Sequence, residues 1–234
     1  MVLTLTVRDV APAAARALTV RVDLAGADFP YRSGQAVEIG RPGGARKPYS
    51  LATPPAEARA RGELELLVGL EPSGAVPAWL APLERGTALE VDGPHGTFMF
   101  PDDPAERRFL FVAGGTGIAP LRAMLYEAVA RPRTASVSVL YSARTADDFA
   151  YGAELRALAA AGRITLWQTV TREVAAHWDG AKGRVALRYL RTMLHDEPTL
   201  CFVCGPHGLV SEASLLLAEA GVAPDRVRVE DWGG

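Results

Sequence analysis

A glycine-rich turn stands between an apolar run and a helical pattern in the second half of the sequence. The turn consists of Gly114, Gly115, Thr116 and Gly117. The apolar run at 109–112 predicts a buried strand, and the apolar spacing at 119–130 predicts a helix with Pro120 in its first turn. Glycine lets the backbone approach an anion closely, and a helix N-terminus offers free N–H groups and partial positive charge. A strand, a glycine turn and a helix in this order predict a site for the pyrophosphate of a dinucleotide.

The same glycine turn has two other interpretations. It could be a purely structural turn of the kind that any α/β protein contains. An ATP-binding P-loop would place a lysine and a serine or threonine after the glycines, whereas this sequence continues with Ile118 and Ala119. The position of the turn between a strand and a helix favours the dinucleotide site.

The composition is that of a folded protein of moderate charge. The chain has 234 residues, which allows one large or two small domains at roughly 100–200 residues each. Apolar residues make up 49% and charged residues 22%, so disorder is not the expected main state. The formal net charge is -2 and no long basic run is present, so we expect no nucleic-acid partner. Residues 1–5 lack the charged start of a signal peptide. The sequence contains no run of about 18 apolar residues, so we expect no membrane span.

The two cysteines, Cys201 and Cys204, are too few for an iron–sulfur cluster held only by cysteine. Their C-x-x-C spacing is also found in redox-active pairs. The run around them is typical of a buried strand, however, and residues at this spacing on a strand point to opposite faces. A disulfide is therefore not the favoured interpretation, and the cysteine content is consistent with a cytoplasmic protein.

The first part of the chain is rich in short β-type patterns. Apolar residues at positions 20, 22 and 24 alternate with polar ones, which is the period-two pattern of a strand with one buried face. Similar runs are found at 3–7, 18–24, 36–39, 64–70 and 88–91. Turn sequences rich in glycine and proline separate them. Many short strands at this spacing predict an antiparallel β-barrel over residues 1–102.

A Pro-Asp-Asp-Pro segment at 101–104 interrupts this pattern, and strand and helix patterns alternate after it. Strand patterns are found at 109–112, 137–141, 164–170, 199–203 and 227–229. Helical patterns are found at 119–130, 153–161, 186–194 and 209–220. This alternation predicts a doubly wound parallel sheet, an α/β domain, over residues 103–234.

The glycine turn belongs to a longer motif, Gly-Gly-Thr-Gly-Ile-Ala-Pro at residues 114–120, that resembles the pyridine-nucleotide motif of the ferredoxin–NADP reductase superfamily. Further motifs of that superfamily are found in the same order along nearly the whole chain. Together they are more specific than any one of them. The resemblance implies an FAD-binding barrel in residues 1–102 and an NAD(P)-binding α/β domain in residues 103–234.

The run Arg46-Lys47-Pro48-Tyr49-Ser50 resembles the Arg-x-Tyr-Ser/Thr flavin motif of the superfamily. The resemblance implies that Tyr49 packs on the isoalloxazine ring and that the Ser50 hydroxyl lies near flavin N5. Lys47 stands where the motif has its phosphate-binding arginine, and Arg46 precedes it. A lysine lacks the two-pronged geometry of a guanidinium, so both cations are candidates for the phosphate. The alternative interpretation is a plain strand edge with surface charges.

A second flavin motif consists of Gly74, Ala75, Val76 and Pro77. It resembles the superfamily's Gly-x-x-Ser/Thr, which caps a short helix over the flavin pyrophosphate. Pro77 replaces the hydroxyl residue, so the run can offer only backbone N–H groups, and FMN stays open as an alternative to FAD. Val68 and Gly69 on the preceding strand are expected beside the ribityl chain or the phosphates. Residues 93–98 resemble the Gly-Pro-x-Gly-x-Phe motif that ends the flavin barrel.

Cys204, Gly205 and Pro206 end a predicted strand and resemble the superfamily's Cys-Gly-Pro motif. The carboxyl end of a parallel strand is where open α/β sheets bind ligands. The resemblance implies that Cys204 faces nicotinamide C4, although a small buried side chain is the alternative. Further along, Glu230 is expected to orient the nicotinamide–flavin pair or relay protons. Trp232 is expected to stack on the exposed flavin face until nicotinamide displaces it.

Three arginines bear on the choice of nucleotide, because a 2′-phosphate is bound by arginine. They are Arg144, Arg172 and Arg184. The set is similar to the cluster of bacterial NADPH-using members of the superfamily, but Arg144 and Arg184 also have counterparts in NADH-using members. Solvated surface arginines are the alternative interpretation. The set favours NADP(H) over NAD(H).

Together these features predict a flavoprotein oxidoreductase. Hydride would pass from NAD(P)H to bound FAD in the cleft between the two domains, with Ser50, Cys204 and Glu230 around the reacting atoms. Because the sequence provides no cluster of its own, electrons would leave to a separate carrier, namely a ferredoxin, a flavodoxin or an oxygenase component. The alternatives are a flavin reductase that releases reduced flavin, an electron-transfer subunit of a larger redox complex, and a non-catalytic nucleotide-binding module.

Overall fold

An antiparallel sheet of six strands forms the first half of the chain in a computed structural model, which describes residues 1–172, 178–194 and 197–232. Its strands are β1 (Val2–Ala14), β2 (Ala17–Asp23), β3 (Ala36–Gly40), β4 (Arg46–Ser50), β5 (Glu63–Gly69) and β6 (Ala88–His95). They lie in the order β4-β3-β6-β1-β2-β5. An antiparallel bridge between Leu51 and Leu66 brings the two edge strands together, so the sheet closes into the predicted barrel.

The barrel buries the side chains that the period-two pattern selects. Val20 and Val22 are fully buried, whereas Arg21 between them is partly exposed. Strand β4 is absent from the predicted runs because its first three residues are charged or proline, which gives it no apolar alternation. Helix α1 (Pro55–Arg61) was also not predicted, and it ends at Gly62, whose φ of 65° is left-handed.

A parallel sheet of six strands forms the second half of the described chain. Its strands are β7 (Arg108–Gly114), β8 (Ser136–Ala143), β9 (Thr165–Val170), β10 (Ala181–Lys182), β11 (Thr199–Gly205) and β12 (Val227–Asp231). The helices are α2 (Ile118–Ala130), α3 (Gly152–Ala160), α4 (Leu187–Met193) and α5 (His207–Glu219). The predicted strands and helices of this half are confirmed, and only the short strand β10 was not predicted. None of the helices in the described ranges is long and apolar enough to cross a membrane.

The parallel sheet changes its direction of winding between β7 and β11. The strand order is β10-β9-β8-β7-β11-β12, so the chain builds one side of β7 first and then returns to build the other. Open α/β sheets bind ligands outside the carboxyl ends of their strands at such a point. The glycine turn follows β7 and Cys204 lies near the end of β11, so the two predicted nucleotide motifs meet there.

The barrel and the parallel sheet share a hydrophobic core. Phe98 and Phe100, from the segment that follows the barrel, pack on Phe109 and Phe202 of the sheet with ring centroids 5.1–6.0 Å apart. The predicted domain boundary, after residue 102, lies in this same segment. This boundary separates the two domains along the sequence, but the hydrophobic core of the folded chain extends from one domain into the other.

Helix α2 packs directly on the barrel at Gly34. The φ of Gly34 is 101°, and a Cβ built there would collide with the Met124 side chain of α2 and with the Phe98 carbonyl oxygen. The neighbouring Ser33 hydroxyl donates a hydrogen bond of 2.7 Å to Glu127 on the same helix. The left-handed backbone conformation and the close approach of the Phe98 carbonyl therefore require glycine at position 34, and Met124 of α2 fills the remaining space beside it.

Replacing Gly34 with alanine should lower the free energy of unfolding by about 2–4 kcal/mol, because the methyl group adds left-handed strain and displaces Met124. Gly86→Ala is the matched control, since Gly86 has a φ of 88° and nothing lies within 4 Å of its built Cβ. Chemical denaturation of both variants measures the difference. Equal losses would show that backbone strain alone, and not contact with α2, requires glycine at position 34.

Candidate functional site

The glycine turn lies against the end of strand β11. The 3-10 turn Gly115–Gly117 connects β7 to α2. A Cβ on Gly117 would collide with the backbone carbonyl of Cys204, and Gly115 has a φ of 52°, so both positions require glycine. The Tyr141 hydroxyl donates a hydrogen bond of 2.9 Å to the Gly115 carbonyl. The turn is therefore held from two sides, by β11 and by β8.

A cavity of about 620 Å³ opens at the glycine turn. The residues that line it here are Gly114, Gly115, Thr116, Gly117, Gly205 and Pro206. Helix α2 begins at this wall, so its partial positive charge favours an anion in the cavity. Pro120 is buried in the first turn of α2, as predicted for its place in the helix, and lies behind the cavity wall. A phosphorylated, elongated ligand fits the size and chemistry of this cavity.

The three predicted arginines line the same cavity. Arg144, Arg172 and Arg184 follow β8, β9 and β10, so they come from three neighbouring strand ends. The Arg172 N–H donates a hydrogen bond of 2.9 Å to the Arg144 carbonyl, which holds two of the loops together. Arg184 is exposed and lies 3.4 Å from Glu212. The cavity therefore has a glycine-rich wall with free backbone close to the ligand space and cationic side chains at another wall, both of which suit a phosphorylated ligand.

Ser50, Cys204 and Glu230 come together at the boundary between the barrel and the parallel sheet. The Ser50 hydroxyl donates to Glu230 Oε2 at 3.3 Å, across 180 residues of sequence. The Cys204 thiol lies 3.9 Å from the same oxygen, because Cys204 and Glu230 are paired neighbours on β11 and β12. Ser50, Cys204 and Glu230, which belong to separate sequence motifs, thus form one cluster. We call it the carboxylate cluster.

Burial controls the charge of the carboxylate cluster. It raises the pKa of Glu230 from 4.5 to about 7, although hydrogen bonds from Trp232, Ser50 and Cys204 oppose the increase. Burial also raises the pKa of the Cys204 thiol well above its ordinary value, and the charge of Glu230 adds to this effect. The cysteine is therefore a neutral thiol near pH 7, and Glu230 is poised to exchange a proton. Both thiols of the chain are free, so no disulfide forms.

Trp232 connects the carboxylate cluster to the cavity. Its indole N–H donates to Glu230 Oε2 at 3.1 Å, and its backbone N–H donates to the Gly205 carbonyl at 3.0 Å. The same side chain lines the cavity and packs on the shared core. A ligand that extends from the glycine turn towards Glu230 therefore meets Trp232 on its way.

Strand β4 separates the two candidate cations of the flavin motif. Alternate residues of a strand share a face, so Lys47 and Tyr49 lie on one face and Arg46 and Pro48 on the other. Lys47 lies over the ring of Trp79 at 5.4 Å, and Tyr49 lies 6.0 Å from the same ring. Arg46 instead forms a salt bridge of 3.0 Å with Glu90. Lys47 is therefore the candidate cation that shares a face with the aromatic side chains Tyr49 and Trp79, whereas Arg46 is paired with Glu90 on the other face.

The structure shows which backbone and side-chain groups the remaining residues of the predicted flavin site present. The Val68 side chain is fully buried in the barrel core, so only its backbone can face a ligand. The Gly74 N–H donates to the Glu71 carbonyl at 2.8 Å, in a turn that also contains Ala75, so it is not a free donor. Val76 packs partly on the barrel core, and no helix forms in this run of the described chain. Gly69 lies beside Thr116 of the glycine turn, with its built Cβ 3.8 Å from the Thr116 methyl group.

Two further groups at the site were not predicted from the sequence. Trp79 accompanies Tyr49 and Lys47, and its place two residues after the flavin motif at 74–77 is a signal that could have identified it. Arg16 forms an ion pair with Asp148 across the domain boundary, and both line the cavity. No local pattern predicts this pair, because it exists only once the two domains are packed.

Comparison with known families matches residues 3–100 to the oxidoreductase FAD-binding domain and residues 111–214 to the oxidoreductase NAD-binding domain. The two matched segments coincide with the barrel and with most of the parallel sheet. FAD and NAD(P)H are therefore the ligands of the two halves of this chain.

Ferredoxin–NADP reductase B of Sorangium cellulosum is 32% identical over 218 residues, which cover 88% of this chain and 87% of that protein. An NADPH oxidoreductase of Mycobacterium tuberculosis is 33% identical over 213 residues, which cover 88% of this chain and 53% of that protein. This chain thus spans about half the length of the mycobacterial protein. The crystal structure of a cytochrome P450 reductase from Amycolatopsis superposes with a TM-score of 0.88 at 27% identity, over 100% of this chain and 70% of that chain. With this degree of similarity over nearly its whole length, the chain belongs to the ferredoxin–NADP reductase family of NAD(P)H-dependent flavin oxidoreductases.

Proposed function

We propose that this chain accepts hydride from NADPH, holds it on FAD, and passes electrons to a separate carrier protein. The observation that supports this most directly is the carboxylate cluster. Ser50 of the flavin motif meets Cys204 and Glu230 of the nucleotide domain at one oxygen, beside a cavity built for a dinucleotide. When bound, nicotinamide C4 supplies the hydride and flavin N5 receives it.

The nucleotide half of the site binds by backbone and charge. The glycine turn and the N-terminus of α2 hold the pyrophosphate, and Arg144, Arg172 and Arg184 bind the 2′-phosphate that distinguishes NADPH from NADH. Trp232 covers the route from the cavity to Glu230. The Trp232 indole would exclude water from the cluster and would move aside to make room for a bound nicotinamide ring.

The flavin half of the site binds through β4. Tyr49 packs on the isoalloxazine ring, and Lys47 on the same face of the strand binds the diphosphate of FAD. Burial raises the pKa of Tyr49 to about 12, so the phenol stays neutral beside the ring. Ser50 ends the strand and presents its hydroxyl to flavin N5. Gly69 lies beside Thr116 of the glycine turn, so its backbone would be available to the phosphates of a bound cofactor at the domain boundary.

Glu230 controls the proton and the charge at the cluster. A permanent carboxylate would sit uncompensated in this partly buried place, because its hydrogen-bond donors are neutral. The raised pKa allows Glu230 to hold a proton near pH 7 and to give it back through the Ser50 hydroxyl. Neutral Cys204 fills the space opposite nicotinamide C4 without acting as a nucleophile.

The proposed electron acceptor is a separate carrier protein. The relatives include a ferredoxin–NADP reductase and a cytochrome P450 reductase, which supports a ferredoxin, a flavodoxin or an oxygenase component as the acceptor. The described residues contain no group of metal-binding side chains that could hold a redox metal in this chain. Two free thiols are consistent with reaction in the reducing cytoplasm.

Stopped-flow mixing of the purified flavoprotein with NADPH and, in parallel, with NADH tests the proposed function. We expect NADPH to bleach the flavin absorbance in a single rapid phase and NADH to do so at lower efficiency. Loss of flavin during purification would instead support a flavin reductase. Bound flavin that neither nucleotide bleaches would support a non-catalytic nucleotide-binding module, and copurification with other redox subunits would support a component of a larger complex.

Replacing Arg172 with glutamine should weaken NADPH binding about tenfold and leave NADH binding unchanged, because one charge-assisted hydrogen bond to the 2′-phosphate is lost. The same result is expected for Arg144→Gln and Arg184→Gln. Arg191→Gln on α4 is the matched control, since Arg191 is exposed and lies outside the cavity. Titration with each nucleotide gives the dissociation constants. Equal weakening of NADPH and NADH binding would contradict a 2′-phosphate site.

The pH dependence of stability should differ between the wild type and Glu230→Gln. The folded pKa of Glu230 is raised from 4.5 to about 7, so its contribution to stability is complete below pH 4.5 and is lost as the pH rises through 7. We expect this loss to be about 1–2 kcal/mol, after allowance for the partly exposed side chain, and to be missing in Glu230→Gln. Urea denaturation at several pH values measures it, with exposed Glu219→Gln as the control. A wild-type profile that matches the Glu230→Gln profile would contradict the raised pKa.

A further inference from the structure

Helix α2 carries a buried arginine that belongs to neither ligand-binding motif. Arg122 is only 7% exposed and lies one turn beyond the glycine turn. Its Nε and Nη2 donate to the Glu154 carboxylate at 2.8 and 3.1 Å. Its Nη1 donates to the Ala52 carbonyl of the barrel at 2.8 Å. One guanidinium therefore joins α2, α3 and the segment that follows β4.

The surroundings of Arg122 are arranged to keep the guanidinium in one orientation. Tyr126 and Tyr151 lie over it, with ring centroids 5.1 and 4.8 Å from its central carbon. Tyr126 donates to Glu154 at 2.8 Å, and Tyr151 donates to Glu65 of the barrel at 3.0 Å. Tyr151 has a left-handed φ of 57°, a conformation that a bulky residue adopts only when its surroundings impose it.

Arg122 contacts a segment close to the flavin half of the site and lies on the helix that begins at the nucleotide half. Ala52 is two residues beyond Ser50, is fully buried, and also donates its N–H to the Glu65 carbonyl at 2.9 Å. Helix α2 begins directly after the glycine turn. The hydrogen bond from Arg122 to Ala52 therefore connects the backbone that positions the Ser50 hydroxyl to the helix whose first turn lines the dinucleotide cavity.

We infer that Arg122 is a positioning residue for hydride transfer, which sets the distance between the Ser50 segment and the glycine turn through its hydrogen bond to the Ala52 carbonyl. This inference rests on the proposed function. Hydride transfer needs the reacting atoms at roughly 3–3.5 Å, and a displacement of about 1 Å can lower the rate on the order of a hundredfold. A contact that holds the flavin-binding strand against the nucleotide-binding helix therefore acts on the rate of transfer more than on the affinity for either ligand.

Arg122→Lys in the FAD-bound enzyme tests the inference, because lysine keeps the charge beside Glu154 but lacks the fork that reaches Ala52 at the same time. We expect the flavin reduction rate at saturating NADPH to fall at least tenfold. The NADPH dissociation constant should change less than threefold, and flavin content should stay the same. The long-wavelength absorbance of the nicotinamide–flavin contact should weaken in parallel.

Arg131→Lys is the matched control. Arg131 directly follows the last residue of α2, at the end of the helix that is far from Ser50. Its guanidinium donates to the carbonyls of Pro101 and Asp102 at 3.0 and 2.7 Å. We expect its reduction rate to stay within twofold of the wild type at a similar melting temperature. Equal rate losses in both variants, or an unchanged rate in Arg122→Lys, would overturn the inference.

Glu154→Gln provides a second variant if Arg122→Lys does not fold. It weakens the two bonds that orient the guanidinium and leaves Arg122 in place, so a rate loss of about threefold is expected at unchanged NADPH affinity. An unchanged rate in this variant would also overturn the inference. If wild-type flavin is reduced by neither nucleotide, the proposed function fails and the inference fails with it. Normal reduction of the wild type together with unaffected variants defeats the inference alone.

Discussion

The contact between helix α2 and the barrel is the constraint on which the rest of the site depends. The flavin and nucleotide motifs belong to different domains, yet their reacting atoms must meet at roughly 3–3.5 Å. Helix α2 begins at the glycine turn and lies with its side on the barrel at Gly34 and Ala52. A shift of this helix would move one half of the site against the other. The close approach at Gly34 and the buried charges around Arg122 both prevent such a shift.

The second constraint is electrostatic. The parallel sheet brings Cys204 and Glu230 side by side at the carboxyl ends of β11 and β12, and the barrel adds only neutral Ser50. Burial raises the pKa of the Glu230 carboxyl group to about 7, and the neutral donors Trp232, Ser50 and Cys204 only partly oppose this increase. The three predicted arginines line the cavity and are not part of the carboxylate cluster. The cationic side chains that suit a phosphate are thus separate from the carboxylate cluster, whose hydrogen-bond donors are neutral.

Periodic patterns predicted the fold well because most strands and helices bury one face or both. Strand β4 was missed as a strand because its charged and proline residues have no apolar period, although its motif was recognised. The choice between Arg46 and Lys47 needed the strand itself, since the alternation of faces separates the two cations. Arg122 could not be predicted as an interdomain contact, because its partners Ala52 and Glu154 are brought to it only by tertiary packing. In the Gly74 run, the structure adds a contact that similarity to a motif does not predict, because the Gly74 N–H donates to the Glu71 carbonyl in a local turn.

The aromatic stack of Phe98, Phe100 and Phe202 has a consequence for how this protein can be rearranged in evolution or in the laboratory. These rings bury each other across the boundary between barrel and sheet. A chimera that joined this barrel to a foreign nucleotide domain would leave large apolar rings exposed at the junction, and such surface promotes aggregation. A chimera should therefore keep the barrel and the parallel sheet of this protein together. An additional redox domain is best fused before the barrel or after the sheet.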